Sequence, residues 1–299
     1  MDRRSRRAPT ALTLKAPAKV NLTLEVVDRL PDGYHAIRSV VARLPRLADT
    51  VRVAVRDGPG DIDVRCDAAG VPTGARNLCH VAATLFLQAA NRSAAVEIVI
   101  HKAIPIAAGL GGGSSDAAAV LMALDAHFPA RVGRRTLASI ASAIGKDVPL
   151  FLGGGATCAI SGMGERVRAL GPLPSFHWLI ANPGVAVSTR DAYAALRDEL
   201  WFMERKTRTD WSRRMQAGIR AGDANAIAAA LYNDFELVVE RAHPILKDLK
   251  QAMRAFGANG TLMSGSGPTV FGLFRASGER DAAHAALRAH HPSCFVARG

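Results

Sequence analysis

The stretch that decides the reading of this chain is PIAAGLGGGSSDAAAVLMAL, residues 105 to 124. Four glycines run into an alanine-rich segment, although glycine is the poorest helix former after proline. Ala117, Val120, Leu121 and Leu124 recur at helical spacing and give that segment an apolar stripe. A helix start leaves backbone N–H groups unpaired and carries partial positive charge, so it attracts anions. Glycines in front of it let the backbone approach phosphate oxygens, while Ser114 and Ser115 stand ready to cap the helix or donate hydroxyl hydrogen bonds. A Walker A loop would carry a lysine after its last glycine, and here Gly113 is followed by Ser114. Three consecutive glycines also fit the dinucleotide-binding spacing poorly. The stretch reads as a phosphate loop of neither common kind.

Outward from it, TLKAPAKVNLTLEVV alternates apolar residues at Leu12, Leu14, Val20, Leu22, Leu24 and Val26, a strand pattern that RLPDGYHAI interrupts with a Pro-Asp-Gly turn. DTVRVAVRD, GDIDVRC and AAVEIVIHKAI are further strands. NLCHVAATLFLQAA is a helix with Leu78, Val81, Ala82, Leu85 and Phe86 on one face, and RRTLASIASAIG is another that stops at Gly145. Short strands broken by glycines follow in LFLGGGATCAISGMGERVRAL, then a strand near residue 175, a mainly helical region to about 256, and GTLMSGSGPTVFGLF before the last helix and strand. Strands and helices mix without regular alternation, which predicts an α+β fold in two lobes.

Composition bounds the function. Of 299 residues, 49% are hydrophobic and 21% charged, enough to bury a sizeable core. No apolar run is long enough to span a bilayer, and the basic start MDRRSRRAPTALTLK lacks the apolar segment of a secretory signal, so a cytoplasmic protein off the membrane is expected. Cys66, Cys79, Cys158 and Cys294 are scattered without metal-ligand spacing and read as reduced thiols. A formal charge of +12 favours anionic partners.

PIAAGLGGGSSDAAA resembles the phosphate-binding motif of the GHMP kinases. LMSGSGPTVFGLF resembles their C-terminal glycine motif and APAKVNLTLEV their N-terminal one, in the family's order and across nearly the whole chain. The resemblance implies a two-lobed GHMP fold. An N-terminal lobe like ribosomal protein S5 domain 2 would span residues 1–158 and bind ATP, and a ferredoxin-like α/β substrate lobe would span 159–299. AKVNLTLEV…RLPDGYHAIRSV and GKDVPLFLGGGA further resemble the branch that phosphorylates the 2-hydroxyl of a cytidine-diphosphate-linked methylerythritol in the non-mevalonate route to isoprenoids.

The resemblance also implies roles. Lys19 and Asp147 would be the catalytic pair: Asp147 accepts the hydroxyl proton, and Lys19 orients it and stabilises developing charge. Without the resemblance, Asp147 before VPLF reads equally as an N-cap, and Lys19 as an exposed strand lysine. ATP would be held by Pro105, Ile106, Ala107, Ala108, Gly109, Leu110, Gly111, Gly112, Gly113, Ser114 and Ser115, with Asn77, Leu78 and Lys102 beside them. Tyr34 and His35 would meet the cytidine ring, as an aromatic and an imidazole can. Asn21, Thr189 and Tyr193 would complete the substrate contacts, although the family more often shows Phe with prolines near the last two. Ser264 to Pro268 would be an active-site wall. Mg²⁺ is expected because kinases need it at the β- and γ-phosphates. Its ligands are left open, with Ser114 or Ser115 as candidates.

The expected partners are ATP and the small-molecule acceptor, in a monomer or weak homodimer. Two rivals share part of the pattern. A homoserine or mevalonate type of GHMP kinase would not need Tyr34, His35 or the DVP segment. A nucleic-acid-binding protein would use the basic arm, but aromatics make up 5% of the chain and do not cluster with that arm.

Overall fold

The computed structural model describes residues 10–31, 33–58, 60–128, 132–153, 155–200 and 209–299. The arginine-rich arm and Asp32 of the Pro-Asp-Gly turn lie outside the described residues. Among the described residues the architecture is α+β, with one seven-stranded and one four-stranded sheet.

Two compact units are interleaved along the chain. The first comprises the chain up to Ala18, Ala48–Ile106 and Gly111–Gly154; the second comprises Lys19–Leu47, Ala107–Leu110 and Gly155–Gly299. Two long strands, β1 (Thr10–Arg29) and β2 (His35–Arg56), contribute residues to both. The sequence pattern predicts an interruption over RLPDGYHAI, whereas β2 already begins within it, at His35, and runs for 22 residues. Between the two strands the Leu30 amide donates to the Tyr34 carbonyl, and Gly33 stands at φ +87°.

In the first unit, the C-terminal half of β2 pairs antiparallel with β4 (Ala95–His101), which pairs parallel with β3 (Ile62–Cys66). Helices α1 (Leu78–Ala89), α2 (Gly112–His127), α3 (Arg134–Ile144) and α4 (Val148–Leu152) pack together there. The buried side of α1 is Cys79, Ala82, Ala83, Phe86 and Leu87. That stripe is turned from the expected one, leaving Leu78, Val81 and Leu85 half-buried. The small residues face inward because α2 approaches closely. Helix α2 is buried nearly all round from Ser115 to Leu121, which is why its sequence is alanine-rich rather than amphipathic.

In the second unit, the N-terminal half of β2 pairs with β5 (Thr157–Gly162), which pairs with β6 (Arg166–Ala169). The two-residue strand β8 (Tyr232–Asn233) pairs parallel with β1 at Thr23 and Leu24. The second sheet has the order β11 (Phe295–Arg298), β7 (His177–Asn182), β10 (Val270–Phe274), β9 (Gly260–Met263), all antiparallel. Taken in chain order, that is the 4-1-3-2 arrangement of a ferredoxin-like β-α-β-β-α-β unit. Helices α9 (Ile245–Ala255) and α10 (Ser277–His290) pack on it around Leu179, Leu249, Met253, Val270, Phe274 and Leu287.

β1 departs from the pattern its sequence suggests. Period-2 alternation usually marks a strand with one wet face. Here the polar positions Lys19, Asn21, Thr23 and Glu25 are buried like their apolar neighbours, all at 7% exposure or less. Buried polar groups need partners, and those partners build part of the site.

Candidate functional site

Lys19, Asn21, Thr23 and Glu25 point to one face of β1 because side chains on a strand alternate. Lys19 Nζ donates to Asn21 Oδ1 at 2.8 Å, and Asn21 Nδ2 donates to Ser39 Oγ at 2.9 Å. Ser39 Oγ donates to the Thr23 carbonyl at 2.5 Å. Thr23 Oγ1 accepts from the Val40 amide and lies 2.8 Å from Ser212 Oγ. Glu25 accepts from the Trp211 and Ser212 amides at 3.1 and 2.9 Å, at the start of helix α6 (Trp211–Ala221). The stripe is thus a closed polar network, of which sequence reasoning found Lys19 and Asn21 and missed Ser39, Thr23 and Ser212.

Around Lys19 the second unit gathers two glycine motifs. The Lys19 amide donates to the Leu110 carbonyl at 2.9 Å, and the Asn21 amide to Ser264 Oγ at 3.3 Å. Ser264 Oγ in turn donates to the Gly109 carbonyl at 3.2 Å. At Gly109 (φ +74°), a Cβ would stand 2.5 Å from the Ser264 carbonyl oxygen; at Gly265 (φ +62°), it would stand 3.7 Å from Lys19 Nζ. Ala107 also takes a positive φ, +53°, an uncommon conformation for a residue with a side chain. Ala108 and Leu110 are buried, whereas Ile106 is exposed and Pro105 half-buried.

The rest of the expected phosphate loop lies in the first unit. The helix begins at Gly112, with Gly111 (φ +69°) in the N-cap position and no side-chain cap. Ser114 and Ser115 therefore lie inside the first turn and do not cap it, a correction to the sequence reading. Glycines enter the helix itself because space is short: a Cβ on Gly112 would stand 3.2 Å from both Ile104 and Lys102 Nζ. Leu78 lies alongside, 3.7 Å from where a Gly113 Cβ would be. Asn77 caps α1, accepting from the Cys79 amide at 2.8 Å and donating to the Pro72 carbonyl.

Lys102 is not an ordinary strand-end lysine. Its Nζ lies 2.5 Å from Asp49 Oδ2 and 2.8 Å from Asp116 Oδ2, in a nearly sealed cluster. Asp49 also accepts from the Ala103 and Ile104 amides. Burial works against the Lys102 charge, but Asp116 and Asp49 outweigh it and raise its pKa. Burial, with repulsion from Asp49, pushes Asp116 up to about 7 despite Lys102. Asp116 Oδ1 and the neighbouring Ser115 Oγ are buried without a hydrogen-bond partner among the described residues. Asp116 carried no signal beyond being an acidic residue at a helix start, where such residues usually face water.

Asp147 immediately precedes α4, with Pro149 in the first turn, and its side chain makes no cap bond to that helix. In the second unit, the His35 and Tyr193 rings stack at 4.5 Å and 22°, with Tyr193 edge-on to Phe235 at 4.7 Å. Tyr34 is 60% exposed. Thr189 opens helix α5 (Thr189–Leu200), and its Oγ1 lies 2.8 Å from Ser266 Oγ in the C-terminal glycine motif.

Among the described residues, no group of three or more His, Cys, Asp or Glu side chains is arranged to hold a metal, and no helix is long and apolar enough to cross a membrane.

Comparison with known proteins finds the GHMP kinases N terminal domain over residues 77–164 and the GHMP kinases C terminal domain over residues 215–293. A 4-diphosphocytidyl-2-C-methyl-D-erythritol kinase of Pelobacter propionicus is 43% identical over 277 residues, 93% of this chain and 94% of the relative. One from Geobacter sulfurreducens is 40% identical over 272 residues, covering 91% and 92%. A crystal structure of 4-(cytidine 5'-diphospho)-2C-methyl-D-erythritol kinase superposes with a TM-score of 0.76 at 36% identity, over 96% of this chain and 98% of that one.

Proposed function

The chain belongs to the GHMP kinases, among the 4-diphosphocytidyl-2-C-methyl-D-erythritol kinases, and we propose that it transfers the γ-phosphoryl group of ATP to the 2-hydroxyl of 4-diphosphocytidyl-2-C-methyl-D-erythritol. The observation that carries the reading is the environment of Lys19. Lys19 is buried, its ammonium oriented by Asn21 and lying beside Gly265, while its backbone amide is tied to the Leu110 carbonyl of the glycine loop.

In the step, the 2-hydroxyl oxygen forms a bond to the γ-phosphorus while the bond to the β–γ bridging oxygen breaks and ADP leaves. Asp147 takes the hydroxyl proton. Lys19 holds the attacking group and offsets charge on the transferring phosphoryl, a role for fixed charge rather than covalent chemistry. The glycine loop binds the phosphates through backbone N–H groups at the α2 start. Asn77, Leu78 and Lys102 flank that loop. Tyr34, His35 and Tyr193 form the aromatic contact for cytosine, and Asn21 and Thr189 supply polar ones.

Mg²⁺ fits this site because Ser115 Oγ and Asp116 Oδ1 are hard oxygen donors left without hydrogen-bond partners among the described residues. Ser115 and Asp116 would hold it. When bound, it neutralises β- and γ-phosphoryl oxygens.

The test is ADP release with ATP, Mg²⁺ and the cytidyl-methylerythritol acceptor, run beside homoserine and mevalonate. Release with the first acceptor alone is expected. No release above an acceptor-free control overturns the reading. Asp147→Asn is expected to lower turnover by about 10³-fold or more while ATP binding stays nearly intact. Normal turnover in that variant would remove Asp147 from its role.

A further inference from the structure

We infer that Ser39 is a positioning residue for the reaction, fixing Lys19 through the amide of Asn21 by the polarity of its hydrogen bonds. The inference rests on the kinase reading and on the role proposed for Lys19.

The argument is one of donors and acceptors. A carbonyl oxygen cannot donate, so the contact between Ser39 Oγ and the Thr23 carbonyl uses the single Ser39 hydroxyl proton. Towards Asn21, Ser39 Oγ can then only accept. The Asn21 group facing it must be the donating NH₂, at 2.9 Å, and the amide carbonyl oxygen must face the other way, towards Lys19 Nζ at 2.8 Å. An ammonium donates and never accepts, so the Lys19 end demands the same orientation. Two constraints from opposite ends of one amide agree. An asparagine amide has two orientations of nearly identical shape, and here Ser39 excludes the wrong one.

Every member of the relay is enclosed: Lys19 and Asn21 are 5% exposed, Ser39 1% and Thr23 0%. Water therefore cannot take over the Ser39 bond without a new cavity. The backbone fixes the anchor as well. Thr23 Oγ1 accepts from the Val40 amide, the residue after Ser39, so the donor and its carbonyl acceptor are held in register across β1 and β2. In Ser39→Ala the Asn21 NH₂ loses its partner, one of the two constraints on the amide goes, and only the Lys19 end still orders it. The carbonyl oxygen that sets the direction of Lys19 is then held less firmly.

The experiment is steady-state kinetics with ATP, Mg²⁺ and the cytidyl-methylerythritol acceptor on the full chain, with thermal melts on every variant. Wild type and Lys19→Met come first. No wild-type turnover overturns the kinase reading and this inference with it, and an active Lys19→Met removes the role of Lys19 and likewise overturns the inference. With those controls passed, Ser39→Ala is expected to lower kcat about tenfold, with KM for ATP changed less than about twofold. Ser39→Thr, which keeps the hydroxyl, restores most of kcat. In an Asn21→Ala background, Ser39→Ala costs nothing further, because the amide it steers is gone. The inference is overturned by wild-type kcat in Ser39→Ala, by an equal loss in Ser39→Thr at an unchanged melting temperature, or by the full tenfold loss persisting without Asn21. If Ser39→Ala melts early, the comparison between the Asn21→Ala and double variants at a temperature where both are folded decides instead.

Discussion

Each unit contains a buried lysine held by two carboxylates next to a glycine motif. In the first, Lys102 joins Asp49 on β2 to Asp116 in the opening turn of α2. In the second, Lys250 on α9 joins Glu236 and Glu240, one turn apart on helix α8 (Glu236–Ala242), and Glu236 also accepts from the Met263 amide, next to Ser264. The parts are alike and the surroundings are not. Asp49 and Asp116 are 0% and 5% exposed, whereas Glu236 and Glu240 are 21% and 18% exposed. Two acids with one base leave an excess negative charge in either cluster. At the edge, water shares part of it, although burial still raises the Glu236 pKa; in the sealed cluster water cannot, and Asp116 is driven to about 7. The comparison teaches that a lysine is worth what its partners would suffer without it.

The largest expected effect follows directly. Lys102→Met strands two enclosed carboxylates and should cost about 3–5 kcal/mol in denaturant melts. Lys250→Met should cost less, about 1–2 kcal/mol, because Glu236 and Glu240 can turn towards solvent. Equal losses in the two variants would break the distinction. The smallest effect is a pH slope. Burial raises the Glu236 pKa above its ordinary value, so the folded state keeps a proton that the unfolded chain has released. Stability therefore falls as pH rises from the ordinary glutamate range through the raised value. Glu236→Gln should flatten that segment of a melting-temperature profile against pH, and an unchanged slope would assign it to another group.

Much of this molecule was legible. The glycine loop, the stop of α3 at Gly145 and the strands β5 and β6 follow from local rules about glycine and periodicity, whereas Leu150 to Leu152, read as the start of those strands, lie in helix α4. The ferredoxin-like sheet came through resemblance, since no local rule sets strand order. What could not be read was long-range polar pairing. Lys102 meets Asp49 from 53 residues away and Asp116 from 14, and no spacing announces either. β1 misled in an instructive way: its alternation was real, but the polar face was enclosed rather than wet. Lys19 looked like a surface lysine for that reason, and Ser39, a lone serine in a strand, carried no signal at all. Of the two uses offered for the loop serines, capping fails, because Gly111 takes the N-cap position and Gly112 and Gly113 enter the helix.

The interleaving of the two units has a consequence for synthesis. A ribosome has delivered all of the first unit once Gly154 has emerged, whereas Lys19 to Leu47 must wait for partners drawn largely from residues after 154. During that interval the segment bearing Lys19, Asn21 and Ser39 lacks β5, β8 and α6, and its strand edges are open to other chains. The polar stripe that orients the lysine lowers that hazard, since Lys19 and Glu25 are charges that an errant strand partner would have to bury.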